Sequence, residues 1–143
     1  MPQEKLVKVF SCASRLTMHC LVHDDECVIE DVDFDVSGIP CIDYGPSGSQ
    51  KGIYGPTFSV FLSFFHWRRS KRTKVVFIEN VPELPVDVVR FLLGDIYYVY
   101  VFYMRPGDVG FELLSRLRVF FMCLLKGLVG LLQMCCFAYD QMC

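Results

Sequence analysis

The sequence carries almost no excess charge of either sign. Its 14 lysines and arginines stand against 16 aspartates and glutamates, a formal charge of -2. That excludes a global field drawing the chain to nucleic acid, so any such contact must rest on a local patch. Internal repeats and low-complexity segments are absent, and 143 residues make one domain at most, long enough to bury a real core. The first residues, MPQEKLVKVF, lack the uninterrupted apolar stretch of a signal peptide. The eight cysteines have no regular spacing, which fits reduced thiols better than a disulfide framework. The expected location is the nucleus or cytoplasm, not secreted. What the chain has in quantity is apolar surface: 53% hydrophobic and 15% aromatic residues, which argues against disorder.

Along the chain, Leu6–Phe10 reads as a short strand, and residues 11–27 show no convincing period. An acidic stretch of Asp24, Asp25, Glu26, Glu30, Asp31, Asp33 and Asp35 reads as a solvated loop. It runs into a first clear strand, Val32–Ile39. A glycine- and proline-rich loop fills residues 40–57 and is long enough to be functional. Pro56 stands where a helix begins, and Phe58, Phe61, Leu62 and Phe65 follow at helical spacing. Arg68, Arg69, Lys71 and Arg72 close that helix, where cations suit the negative end of its dipole. A solvated helix end is the expectation for them.

Residues 74–79 form the next strand, giving a βαβ crossover of expected right-handed sense. Continuous apolar runs such as Val75–Ile78 predict strands covered on both faces. A second helix spans Pro85–Leu93 and stops at Gly94; Asp95–Tyr103 is strongly β-prone, Arg105–Asp108 is a turn, and Arg118–Cys123 is another strand. Val119–Ala138 is nearly apolar and long enough for a membrane helix, but Lys126 and Gln133 near its middle weigh against one.

Chemistry concentrates at two strand ends. Pro40-Cys41 follows the first strand and Glu79-Asn80-Val81 closes the second. In open parallel sheets, ligands bind in the crevice outside the carboxyl ends of the strands. A thiol nucleophile and a carboxyl acid–base partner are therefore expected to face one crevice. Glu79, directly after four apolar residues, needs a partner there. Arg116 and Arg118 stand two apart on a strand and share a face; solvation alone would also explain them. His19, Cys20, His23 and Cys27 have loose metal-ligand spacing but match no regular zinc pattern, and no metal is expected. The tyrosines Tyr97, Tyr98, Tyr100 and Tyr103 read as sheet packing rather than a base-stacking platform.

With these motifs in order, the chain resembles the cytosine-5 DNA methyltransferase family. The residues that carry the resemblance are Gly38-Ile39-Pro40-Cys41, the glycines 48, 52 and 55 with Pro56-Thr57-Phe58, Glu79-Asn80-Val81, and Gly110-Phe111 ahead of Arg116-Leu117-Arg118-Val119. The resemblance implies an α/β fold: a partial doubly wound, Rossmann-like sheet of the S-adenosylmethionine-dependent methyltransferase type, truncated at both ends. It implies Cys41 as the thiolate adding to C6 of a flipped cytosine, Glu79 as the group hydrogen-bonding the base, and Arg116 and Arg118 as the charge beside thiolate, base or phosphate. Asn80 braces the cysteine loop, Pro40 contacts the substrate, and S-adenosylmethionine donates the methyl group. DNA is the implied partner, with RNA as the alternative.

Three features depart from the family pattern. No Phe-x-Gly-x-Gly turn precedes Gly38, the nearest remnant being Lys8–Ala13; Gly45 stands where a serine is usual; and no recognition segment follows Phe121. The expected division is an unassigned 1–30, a partial catalytic domain over 31–121 and a divergent cysteine-rich tail over 122–143. A catalytically dead interaction module is the competing reading, and a membrane-anchored protein a third.

Overall fold

In the computed structural model, residues 17–111 and 115–128 are described. The expected strand at Leu6–Phe10, the remnant at Lys8–Ala13 and most of the apolar tail lie outside them. A hairpin opens the described chain: β1 (Thr17–Cys20) pairs antiparallel with β2 (Asp25–Val28) through a tight turn. Residues 11–27, which show no period in the sequence, therefore hold two short strands. Their brevity explains why no pattern surfaced, since a four-residue strand offers only two alternations.

The main sheet has four strands in the order β3-β4-β6-β5. β3 (Phe34–Gly38) runs parallel to β4 (Val75–Asn80), placing Gly38 opposite Glu79. Helix α1 (Phe58–Lys71) makes the crossover between them. Helix α2 (Val86–Leu93) leads to β5 (Tyr97–Met104), and β6 (Arg118–Leu125) returns between β4 and β5, antiparallel to both. The sheet is mixed and partial, and the fold class is α/β. β6 runs past residue 121, and no helix among the described residues is long and apolar enough to cross a membrane.

The two faces of the sheet differ, which corrects the expectation that both are covered. One lateral row, Ser37, Ile78, Phe121 and Val101, lies on the face packed under the helices. Val76, Ile78, Phe121 and Cys123 are buried there in one cluster with Phe61 and Phe65 of α1 and Val89 and Leu93 of α2. The rings of Phe61 and Phe65 sit 4.6 Å apart, tilted at 51°. The neighbouring row, Val36, Phe77, Met122 and Tyr100, lies on the opposite face. There Val36 is 66% exposed and Tyr100 44%. Strand side chains alternate between faces, so a continuous apolar run buries every second residue here and shows the others to solvent.

The acidic stretch is mostly exposed, as expected, but three of its aspartates pair with cations at and just after the end of the helix. Lys71 bonds Asp31 at 2.5 Å, Lys74 bonds Asp33 at 2.9 Å, and Arg68 bonds Asp35. Arg69, one helix position on, pairs with Asp95. Arg68 is buried, and its guanidinium also lies over the rings of Phe64 and Trp67, 5.1 and 4.8 Å from their centroids. Tyr97, buried among the sheet residues, bonds through its hydroxyl to the carbonyls of Arg68 (3.0 Å) and Thr73 (2.9 Å). Breaking a buried ion pair strands a charge, at a cost of about 3–5 kcal/mol, whereas an exposed pair contributes about 1 kcal/mol or less. Urea unfolding should therefore show Asp35→Ala destabilised by about 3–5 kcal/mol and Lys74→Ala by under about 1 kcal/mol; equal losses would contradict this ranking.

Candidate active site

β3 and β4 end at the same edge of the sheet because they run parallel, and their ends are stitched by one side chain. The Asn80 amide nitrogen donates to the Ile39 carbonyl at 3.0 Å, and its oxygen accepts from the Val81 N–H at 2.9 Å. Asn80 is only 2% exposed, so both bonds form away from solvent, where a missing partner costs most. This fixes Pro40-Cys41 beside Val81-Pro82.

Between these segments opens a cavity of about 660 Å³, lined by Pro40, Cys41, Ser47, Val81, Arg116 and Arg118 among others. Cys41 is half-buried on its wall. Its carbonyl accepts from the N–H groups of Tyr44 and Gly45, both at 2.9 Å, so the chain folds back directly after the thiol.

The loop that follows is organised by Asp43, which the sequence reading did not single out. Asp43 is completely buried. Its carboxylate accepts from the Ser49 hydroxyl (2.6 Å), the Thr57 N–H (2.8 Å) and the Thr57 hydroxyl (2.5 Å). Its carbonyl takes the Gly52 N–H at 2.7 Å. Two glycines are demanded by this packing. A Cβ on Gly48 would fall 1.9 Å from the Ile42 carbonyl oxygen, and one on Gly55 would fall 1.9 Å from the Asp43 carboxyl carbon. The one sequence trace of this arrangement is the glycine spacing itself, which marks tight contacts without saying against what. Tyr44, buried beside Asp43, has its phenol pushed up to about 12 by burial and by the neighbouring carboxylate.

On the far side of the cavity, Arg118 opens β6. Its Nε donates to Glu79 Oε1 at 2.6 Å, and its side chain is 17% exposed. The partner that Glu79 requires is thus Arg118. The two share a sheet face, one row apart, because Glu79 pairs with Phe120 in the β4–β6 register. Arg116, on the segment before β6, is exposed and lines the same cavity. The cavity wall thus brings together Pro40, Cys41, Arg116 and Arg118; Glu79 reaches it through Arg118, and Asn80 lies beneath as a brace. A thiol and two guanidiniums around a space of this size suit a polar or anionic ligand.

Comparison with known proteins bears on the family and the fold. Residues 20–87 match the family model described as C-5 cytosine-specific DNA methylase, so the resemblance carried by the motifs is borne out. The match spans Cys41 and Glu79-Asn80-Val81 and ends before the arginine pair. Among solved structures, a methyltransferase of Entamoeba histolytica is 27% identical with a TM-score of 0.50, over 66% of this chain and 32% of that one. A putative DNA modification methyltransferase encoded within a prophage of E. coli is 17% identical with a TM-score of 0.53, over 69% of this chain and 28% of that one, a likeness of fold. The chain therefore spans about a third of the length of the solved structures it matches. No curated protein matches it.

The loop should respond to acid through Asp43. Burial alone would raise its carboxyl, but the hydrogen bonds from Ser49 and Thr57 outweigh that and hold it below the usual aspartate range. A carboxyl depressed on folding contributes stability that is present above its unfolded value, about 3.9, and is lost as pH falls through the folded value. The urea midpoint should fall between about pH 6 and about pH 3, and Asp43→Asn should lower the neutral-pH midpoint and flatten that acid limb. An acid limb of undiminished slope in the variant would remove Asp43 from the explanation.

Proposed function

We propose that this chain carries the base-binding half of a cytosine-5 methyltransferase, and that its cavity receives a cytosine turned out of a DNA strand. The observation that carries this is the meeting of Cys41, Arg116 and Arg118 on one cavity wall, with Glu79 held by Arg118, and with Cys41 and Glu79 inside the residues that match the family model. A base must leave the stack to reach such a pocket.

Cytosine is a poor nucleophile at C5. The Cys41 thiol gives up its proton, its sulfur forms a bond to C6, and the C5–C6 electron pair moves onto C5. Arg116 and Arg118 line the same cavity as that sulfur. Glu79 lies at the strand end where the base edge would sit, positioned to meet its amino group once Arg118 turns to a phosphate. Asn80 keeps the Cys41 loop at a fixed distance from that strand end. RNA is the alternative polymer.

S-adenosylmethionine, when bound, supplies the methyl group for C5. The described residues do not form a cradle for it. The loop glycines at 48 and 55 are filled by their own chain, against Ile42 and the Asp43 carboxylate, and leave no backbone concavity for a ligand. The methyl donor is therefore to be held by residues outside those described or by another chain.

Two measurements follow. Adduct formation at C6 makes C5 exchange its hydrogen with water before the sulfur leaves, so DNA tritiated at cytosine C5 should release tritium without any methyl donor. Cys41→Ser should abolish release, and Glu79→Gln should slow it by about 10²-fold or more; release undiminished in the serine variant would remove Cys41 as nucleophile. Calorimetric titration of the isolated chain with S-adenosylmethionine separates the two sources: a micromolar Kd assigns the donor site to residues of this chain outside those described, and no binding assigns it to another chain.

A further inference from the structure

The β1–β2 hairpin stands apart from the sheet, and its stability is not explained by burial. An isolated two-stranded hairpin is marginal in water. At its tip Leu21 is 91% exposed and Val22 85%, and Val28 on β2 is 72% exposed. Just after β2, Lys71 donates to the Ile29 carbonyl at 3.4 Å and pairs with the Asp31 carboxylate at 2.5 Å. Among the described residues, the hairpin's apolar side chains at Leu21, Val22 and Val28 add little burial.

The side chains that do converge on this hairpin are metal ligands. Cys20 ends β1, His23 lies in the turn and Cys27 lies in β2. Their ligand atoms all lie within 4.8 Å of one another, and His23 Nδ1 is 3.1 Å from Cys27 Sγ. Tetrahedral zinc with sulfur at about 2.3 Å sets two thiolates about 3.8 Å apart, so closing the cluster needs side-chain adjustment without refolding of the hairpin. His19, weighed with the other three from its spacing, precedes Cys20 on β1 and points to the opposite face, with Nε2 3.4 Å from Asp24.

We propose that Cys20, His23 and Cys27 bind a zinc-class divalent ion that staples the hairpin, with water or a group from a partner at the fourth position. The donor set is soft, two thiolates and an imidazole, which selects zinc over magnesium or calcium. Each thiol releases one proton on binding, and the imidazole binds in its neutral form. The hairpin's deficit of buried apolar surface is then met by metal–ligand bonds, the device small domains use when a core is too small.

Cobalt titration of the reduced, full-length chain tests this directly. One equivalent of Co²⁺ should give an intense thiolate-to-cobalt absorption with tetrahedral visible bands, both displaced by Zn²⁺. Cys20→Ser and Cys27→Ser should each lose the thiolate band, while far-ultraviolet circular dichroism shows the main sheet still folded. His23→Ala, which keeps both thiols, should bind Co²⁺ at least about tenfold more weakly. Zn²⁺ should slow amide hydrogen exchange across residues 20–28 at least about tenfold, as expected when a bound ion opposes local opening. Cys135→Ser combined with Cys136→Ser should leave the spectrum intact. A band that persists in both hairpin serine variants, that disappears only with the tail cysteines, or that never forms in the reduced chain would overturn the assignment.

Discussion

Asn80 carries its carboxamide between two strand ends, donating to Ile39 and accepting from Val81. The position of Cys41 depends on that bridge. A buried amide left without its partners costs about 1–3 kcal/mol, so the chain gains little by letting the Cys41 segment move away from β4. The parallel pairing of β3 and β4 brings both ends to one edge of the sheet; Asn80 then removes the remaining freedom. Asp43 performs the same service further along, joining Ser49 and Thr57 across the loop. Two buried polar side chains hold the cavity wall, Asn80 by joining Ile39 to Val81 and Asp43 by joining Ser49 to Thr57.

Much of this frame was legible in the sequence for physical reasons. Phe58, Phe61, Leu62 and Phe65 repeat at helical spacing and do bury one side of α1. The β-prone run after Gly94 becomes β5, and the two strand ends bearing Cys41 and Glu79 lie side by side. What was hidden required knowledge of distant partners. The Arg68–Asp35 pair joins residues 33 apart in the chain, and neither residue's local pattern separates a buried ion pair from a solvated charge. β6 was read as a strand, but its antiparallel insertion between β4 and β5 is a matter of topology that no periodicity encodes. Asp43 gave no signal because an aspartate in a glycine-rich loop is ordinary; its role emerges only from the carboxylate that Gly55 must leave room for.

The two faces of the sheet are unequally covered. One face is complete, with α1 and α2 sealing Val76, Ile78, Phe121 and Cys123. The other presents Phe34, Val36, Tyr98, Tyr100 and Phe102, each at least 42% exposed. Contiguous apolar surface of this kind marks an interface. β3 is also an edge strand of the main sheet, and edge strands carry unpaired backbone groups suited to adding a further strand. The free edge lies on the side of β3 away from β4, whereas Tyr98, Tyr100 and Phe102 belong to β5 at the other edge of the sheet.

Division of the fold at that edge also divides the proposed chemistry. Addition of a thiol to a base asks for sulfur, positive charge and a fixed pocket, and these come from the ends of β3 and β4 and the start of β6. The helices that fix those ends are present, and so is the buried seam between Arg68 and Asp35. Methyl transfer asks in addition for a donor held over the opposite side of the base, and in an open parallel sheet such a ligand sits beyond the carboxyl ends of neighbouring strands. Among the described residues β3 is the last strand on that side, and its free edge along Phe34–Gly38 offers unpaired backbone groups to a further strand.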